Sequence, residues 1–185
     1  MRVATSEFPD YTFYPTDQLL AAFVEGPARL RRGVSGLDDD ACRARPRGAA
    51  RWSIQEIVLH TADSEAHAYV RVRKALAEPG AALPGYDQDA WVATIDYRNT
   101  GRPERERALD LIELLRRQTA PLLAGPRPAE GEAWGIHPQF GHLTLRNLLE
   151  LYADHSERHL EQILECRRLL GVPLSIAPIL ARRLY

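Results

Sequence analysis

Tyr152-Ala153-Asp154-His155-Ser156-Glu157-Arg158-His159-Leu160 is the stretch on which the reading of this chain turns. At about 100° per residue it belongs to a helix with one apolar face, made of Leu145, Leu148, Tyr152, His155, His159, Ile163, Cys166 and Leu170. Glu150, Asp154, Glu157, Glu161 and Glu165 gather on the opposite face. The two histidines therefore stand where the pattern wants apolar side chains, and once desolvated their ring nitrogens need partners. A single inward histidine is usually a satisfied core residue. Two at i and i+4 are neighbours, with Cβ atoms roughly 5–6 Å apart, and one divalent cation can hold both.

Outward from this helix the chain offers three more. The first starts at Thr16 or Asp17, behind the cap candidate Pro15-Thr16-Asp17, and carries Leu19, Leu20, Phe23 and Val24. Gly26-Pro27 should bend it before it resumes through Leu30 and ends between Gly33 and Gly36. Residues 37–51 then read as a polar connection with no evident chemistry. The second helix has the best-marked start. Ser53 and Glu56 form a capping box, Trp52 and Ile57 a hydrophobic staple, and Ile54, Ile57, Val58, Thr61, Ala68, Val72 and Leu76 an apolar stripe that ends at Glu78-Pro79-Gly80.

The span 80–102 has no assigned structure around its short apolar piece, Trp91-Val92-Ala93-Thr94-Ile95. A third helix follows from about Pro103 to Leu123, with Ala108, Leu111, Ile112, Leu115, Thr119 and Leu122 as its inward face. Beyond Gly125-Pro126-Arg127-Pro128 lies a loop with Trp134, His137, Pro138 and Gly141, and then Thr144 caps the histidine-bearing helix, stapled by Leu143 and Leu148. Four amphipathic helices without period-two strands predict an all-α four-helix bundle, for which up-down and crossover connections both remain open. We expect one domain over residues 1–185, with 1–15 and 172–185 as terminal extensions, the latter packing on the bundle or on a second subunit.

Composition narrows the function. With 24 Lys+Arg against 25 Asp+Glu there is no basic field to hold a phosphate backbone, which argues against nucleic acid as a partner. No 18-residue apolar run marks a membrane span, and the N-terminus lacks the apolar stretch of a secretory signal, so a cytoplasmic protein is expected. Cys42 and Cys166, far apart in sequence, do not make a disulfide framework.

His60 lies on the flank of the second helix's apolar stripe, where it can reach inward as a third ligand or serve as an interfacial residue. Asp63 and Glu56, one turn to either side, could accept the second ring proton of His60, or else be solvated. His67 is two turns on, about 10 Å along the axis, too far to share a metal with His60 but placed to line a pocket. The segment from His155 to His159 invites comparison with the metalloprotease helix, in which glutamate directly follows the first histidine. Here Glu157 is two residues on, about 200° away, and cannot act as base for a metal-bound water. Cys166 reads as a small core residue.

Four segments together resemble the DinB-like superfamily of metal-binding helix bundles, and within it the small-thiol transferases of bacillithiol-transferase type. They are Trp52-Ser53-Ile54-Gln55-Glu56-Ile57-Val58-Leu59-His60-Thr61-Ala62-Asp63-Ser64-Glu65, Tyr86-Asp87-Gln88-Asp89-Ala90-Trp91, His137-Pro138-Gln139-Phe140-Gly141, and His155 through Ile163. The resemblance covers most of the chain, and the first and last segments are its specific part. It implies a four-helix bundle, often dimeric, with one divalent metal, zinc or nickel, bound by His60, His155 and His159 beside a substrate cleft. It implies no single reaction. Many members have only a provisional label as metal-dependent hydrolases, while characterised relatives move bacillithiol, mycothiol or glutathione onto electrophiles or use such a thiol in isomerisation. The family name does not imply DNA polymerisation, for which the acidic constellation and basic channel are missing.

Three neutral imidazoles with an open position are the ligand set of a catalytic rather than a closed structural zinc-type site. The leading expectation is a transferase in which a low-molecular-weight thiol, ionised at the metal, attacks an electrophilic small molecule. Asp63, His67 and His137 are the candidates for catalytic, pocket or proton-transfer roles. The alternatives are a metal-dependent hydrolase of an amide or ester, with water as nucleophile, and a non-catalytic metal-binding module that dimerises. Expected partners are a small-molecule substrate and a second copy of the chain, with no nucleic acid and no membrane. Imidazole suits several metals, so ligand type alone does not select one.

Overall fold

The computed structural model describes residues 8–49, 52–125 and 133–180; the expected loop at Pro126-Arg127-Pro128 and the ends of both terminal segments lie outside the described residues. Four long helices make the bundle: α1 (Thr16–Val34), α3 (Ile54–Ala77), α5 (Arg102–Ala124) and α6 (Leu145–Leu169). Between them lie the short helices α2 (Asp39–Arg43) and α4 (Gln88–Thr94), a 3-10 turn at Tyr97–Asn99, and the hairpin β1 (Trp134–His137) and β2 (Gly141–Thr144).

The helix starts follow local chemistry. At α3 the Ser53 N-H donates to Glu56 Oε2 at 2.7 Å while Glu56 N-H returns to Ser53 Oγ, the reciprocal bonds of a capping box. Thr144 and Asn147 build the same arrangement at α6. Thr16 is not a cap. It is the first residue of α1, and its hydroxyl accepts from Arg146 Nη1 at 2.9 Å.

Gly26-Pro27 lies inside α1, which is continuous through it. Pro27 has no N-H to give the Phe23 carbonyl four residues back, so that buried oxygen needs another donor. Arg116 of α5 supplies it, with Nη1 2.6 Å from Phe23 O. Gly26 makes room, because a Cβ there would collide with the same guanidinium. Arg116 Nη2 also bonds Tyr152 O of α6 at 2.8 Å and pairs with Glu65 of α3, so one buried side chain touches all four long helices.

These contacts also give the helix directions. Arg29 meets Glu157 and Gly33 meets Leu160 and Ile163, so α1 and α6 run parallel. Gln55 meets Arg105 and Glu65 meets Arg116, so α3 and α5 run parallel as well. By contrast α3 and α6 are antiparallel, with Arg71 at Tyr152 and His60 at His159. Parallel neighbours cannot be joined by a tight turn, which decides the topology in favour of crossover connections. Residues 78–101 have to travel back along the bundle from the end of α3 to the start of α5.

Three expectations are corrected. The inward face of α5 is rotated: Leu109, Ile112, Arg116, Thr119 and Leu123 are buried, while Leu111 and Leu122 are exposed. The reason is that Arg105 and Arg116 point inward to Gln55 and Glu65, whereas a hydropathy pattern turns arginines outward. The acidic face of α6 is likewise covered. Glu150, Asp154 and Glu157 are buried against α1 and the N-terminal segment, on Arg146, Tyr11 and Arg29. The chain also contains strands. β1 and β2 pair antiparallel, Trp134 opposite Thr144, and at four residues each they are too short to show an alternation.

Both terminal segments pack on the bundle as far as they are described. Tyr11 is buried with its hydroxyl 2.7 Å from Asp154, and Leu180 is buried while Ile179 N-H donates to Glu157. Within the described residues no helix is long and apolar enough to cross a membrane.

The central ion pair predicts a stability contrast. Glu65→Ala leaves the Arg116 guanidinium buried without its carboxylate and should cost about 3–5 kcal/mol. Glu165→Ala breaks only the exposed pair with Arg168 and should leave stability close to wild type. Urea denaturation of the two variants reads this difference, and equal small losses would show that Arg116 does not organise the core.

Candidate metal centre

His60 sits in the second turn of α3, and His155 and His159 are one turn apart on α6. Because these helices lie antiparallel, the three rings meet between them. One nitrogen from each lies within 4.8 Å of the others. Ring centroids are 5.3 Å apart for His60 and His155, 5.0 Å for His60 and His159, and 4.3 Å for His155 and His159.

The orientation of the rings is specific. His155 Nε2 and His159 Nε2 face each other at 3.1 Å. On its far side His159 Nδ1 is 2.9 Å from Gln162 Oε1, and an amide oxygen only accepts, so Nδ1 carries the proton and Nε2 the lone pair. His60 Nδ1 lies 3.3 Å from the Tyr86 hydroxyl. Trp52 walls the cluster, 4.6 Å from the His60 ring and 6.4 Å from His159.

Electrostatics keeps the rings neutral. Burial, with His159 beside it, pushes His60 down to about 2, and burial pushes His159 down to about 4. Burial and then the neighbouring His159 hold His155 well below the ordinary imidazole value. Neutral imidazoles are what a divalent cation requires of its ligands, and one nitrogen from each of three such rings converges here. The donor set and its desolvation therefore fit such an ion.

The other sequence candidates lie around the cluster rather than in it. Asp63 accepts the Tyr97 hydroxyl at 2.5 Å, and burial raises its carboxyl pKa. Glu56 is occupied by Ser53 and by Arg45, whose Nε is 2.9 Å away, so it serves the start of α3. His67 bonds the Asp63 carbonyl through Nδ1 at 2.9 Å and stacks on Tyr86, centroids 4.1 Å apart and 19° between planes. His137 is buried in the hairpin, where Nδ1 accepts the N-H groups of Gln139 and Phe140 at 3.2 and 3.3 Å. Burial, with Arg71 as the nearby charge, pushes it down to about 4. Cys166 is buried in the core against the Trp52 carbonyl.

Two neighbours of the cluster were not read as such from sequence. Gln162, three residues after His159, was open to helical spacing. Tyr86, 26 residues from His60, stood in one of the four resembling segments, but no local spacing tied it to His60 because only the return link brings it there.

A family model described as the DinB superfamily matches residues 22–163. YfiT of Bacillus subtilis, named only provisionally and as a metal-dependent hydrolase, is 33% identical over 156 residues, covering 84% of this chain and 85% of that protein. A relative from Oceanobacillus iheyensis with the same provisional name is 29% identical over 143 residues, 77% of this chain and 80% of its own. The solved structure of YfiT, whose four-helix bundle topology is described as unusual, superposes with a TM-score of 0.77 at 27% identity, over 88% of this chain and 93% of that one. A mycothiol-dependent maleylpyruvate isomerase shares the fold, with a TM-score of 0.56 at 12% identity over 82% of this chain and 61% of its own.

The depressed histidine values give a pH dependence for the metal-free protein. Below an unfolded value of 6.5 the unfolded chain takes up protons that the folded rings refuse, so stability is intact above about pH 6.5. It should fall between about pH 6.5 and pH 4, by up to about 1.4 kcal/mol per unit for each histidine. Urea titrations in chelator at several pH values measure the slope, which His159→Gln should reduce. A flat profile would show that the rings are not desolvated.

Proposed function

Because the chain belongs to the DinB superfamily and brings three inward histidines into one cluster, we propose that it is a metal-dependent enzyme transferring a low-molecular-weight thiol to an electrophilic small molecule. His60, His155 and His159 would hold the ion, and their imidazoles suit zinc, nickel and other divalent metals alike. A divalent ion there supplies Lewis acidity at the position its three ligands leave open, and so favours the ionised form of a nucleophile.

The observation that carries the choice of nucleophile is the state of the carboxylates. Among the described residues the cluster contains histidines alone. Asp63 is bonded to Tyr97, Glu56 to Arg45 and Ser53, Asp154 to Tyr11 and Glu157 to Arg29. None of them converges with the three histidines as a ready base. A thiol with an ordinary pKa near 8.5 is close to ionisation without one, whereas water starts near 15.7. The chain's own residues then have three tasks. The histidines hold the ion, Gln162 fixes the His159 tautomer, and Trp52 shields the cluster from bulk solvent. A small thiol also appears in the name of the isomerase that shares this fold, but the choice of nucleophile rests on the carboxylates.

The second reading, hydrolysis, is favoured by the provisional names of the relatives. The two are separated by following thiol consumption with a generic electrophile, across several small thiols, in metal-loaded and chelated protein. Thiol transfer predicts a metal-dependent rate that falls to the chelated level in His155→Ala and His159→Ala. Equal rates with and without metal would overturn it, and turnover of an ester and amide panel without added thiol would establish the hydrolase instead.

A further inference from the structure

We infer that Tyr86 is a positioning residue for His60, delivered to it by a link whose course the parallel packing of α3 and α5 imposes. The inference rests on the metal reading above. Returning along α3, the link lays Tyr86 against His67 and His60, Tyr97 against Asp63, and Thr100 against Gln55. Tyr86 is the one of these whose polar atom reaches a histidine of the cluster, 3.3 Å from His60 Nδ1.

The placement of that hydroxyl is over-determined. Two residues before it, the Pro84 carbonyl accepts from Arg71 Nε and Nη2 at 2.9 and 2.6 Å. Arg71 is buried, and its Nη1 bonds the Tyr152 hydroxyl at 2.7 Å, so the link is pinned to both α3 and α6. Leu83 N-H bonds Ile136 O of the hairpin at 2.9 Å. Gly85 lies so close to Pro138 that a Cβ there would sit 2.7 Å from its Cγ. On the ring itself, His67 stacks flat at 4.1 Å and Trp91 packs at 4.9 Å, while the Ser64 side chain hydrogen-bonds the hydroxyl.

For His60 to offer an ion the lone pair of Nε2, Nδ1 must carry the proton, and a hydroxyl held this way can accept it. It does for His60 what Gln162 does for His159. Partners of this kind fix ring orientation and tautomer, and their loss typically weakens metal binding about 10–100-fold. The link over residues 78–101 is thus not idle chain, and His67 has a role as the flat support for Tyr86 rather than as a ligand.

The test is a Zn2+ competition titration against a chromophoric chelator for wild type, Tyr86→Phe and Tyr97→Phe, with melts of each in chelator. Tyr86→Phe keeps the stack on His67 and removes only the hydroxyl. Tyr97→Phe removes a hydroxyl from the same link that is bonded to Asp63 instead. Tyr86→Phe should weaken Zn2+ binding about 10–100-fold and Tyr97→Phe by no more than about threefold, on the scale of partner losses around metal ligands. Metal-free melting of both should stay within about 4 °C of wild type. Affinity of Tyr86→Phe within about twofold of wild type overturns the inference while leaving the metal centre standing. Equal weakening in both variants, or a metal-free melt of Tyr86→Phe lowered by more than about 4 °C, overturns it in favour of a purely structural tyrosine. Failure of wild type to take up Zn2+ at all overturns the metal centre itself, and this inference with it.

Discussion

The guanidinium of Arg116 is the point at which the bundle is joined. It reaches the Phe23 carbonyl of α1, Glu65 of α3 and the Tyr152 carbonyl of α6 from its own place on α5. A buried cation is costly unless it is paired and hydrogen-bonded, so the residues around it are constrained together. Pro27 frees the carbonyl that Arg116 needs, Gly26 gives it space, and Glu65 supplies the opposite charge. With Arg116 in place the relative heights of the four helices are set, and the height of α6 against α3 is what brings His155 and His159 level with His60.

The same packing makes neighbours of parallel helices, and the cost is a long link between α3 and α5. That link is where the chain acquires the outer wall of the site. Tyr86, Trp91 and Tyr97 come from it, and Arg71 and the hairpin hold it down. The histidine cluster is thus built from two packed helices, while its aromatic surroundings come from a segment that topology obliges to pass there. A site assembled this way has ligands whose geometry is inherited from helix packing and neighbours whose geometry depends on tethers.

The distribution of carboxylates follows from the same economy of charge. Buried and half-buried arginines such as Arg29, Arg71, Arg105, Arg116, Arg146 and Arg167 turn toward protein carboxylates or carbonyls, and the acids near the site are taken up by arginines, tyrosines or helix caps. The cluster is left with neutral nitrogens in a desolvated setting. A cation placed there would meet no carboxylate to share its charge, which keeps it strongly Lewis acidic toward whatever enters.

Much of this was legible in the sequence wherever the signal is local. The capping box at Ser53 and Glu56, the apolar stripe of α3 and the placement of His155 and His159 on an inward face depend on residues within a few turns, and helical period alone predicts them. Helix geometry put His60 where it could reach inward, and the resemblance carried by the segments around His60 and His155 favoured it as the third histidine. What tertiary structure decided is everything that needs two distant pieces of chain to meet: the crossover topology, the inward arginines that rotate α5, the burial of the acidic face of α6, the hairpin, and the arrival of Tyr86 at His60. Hydropathy assigns a charged residue to solvent, and only the position of its partner can reverse that, which is information that no single segment contains.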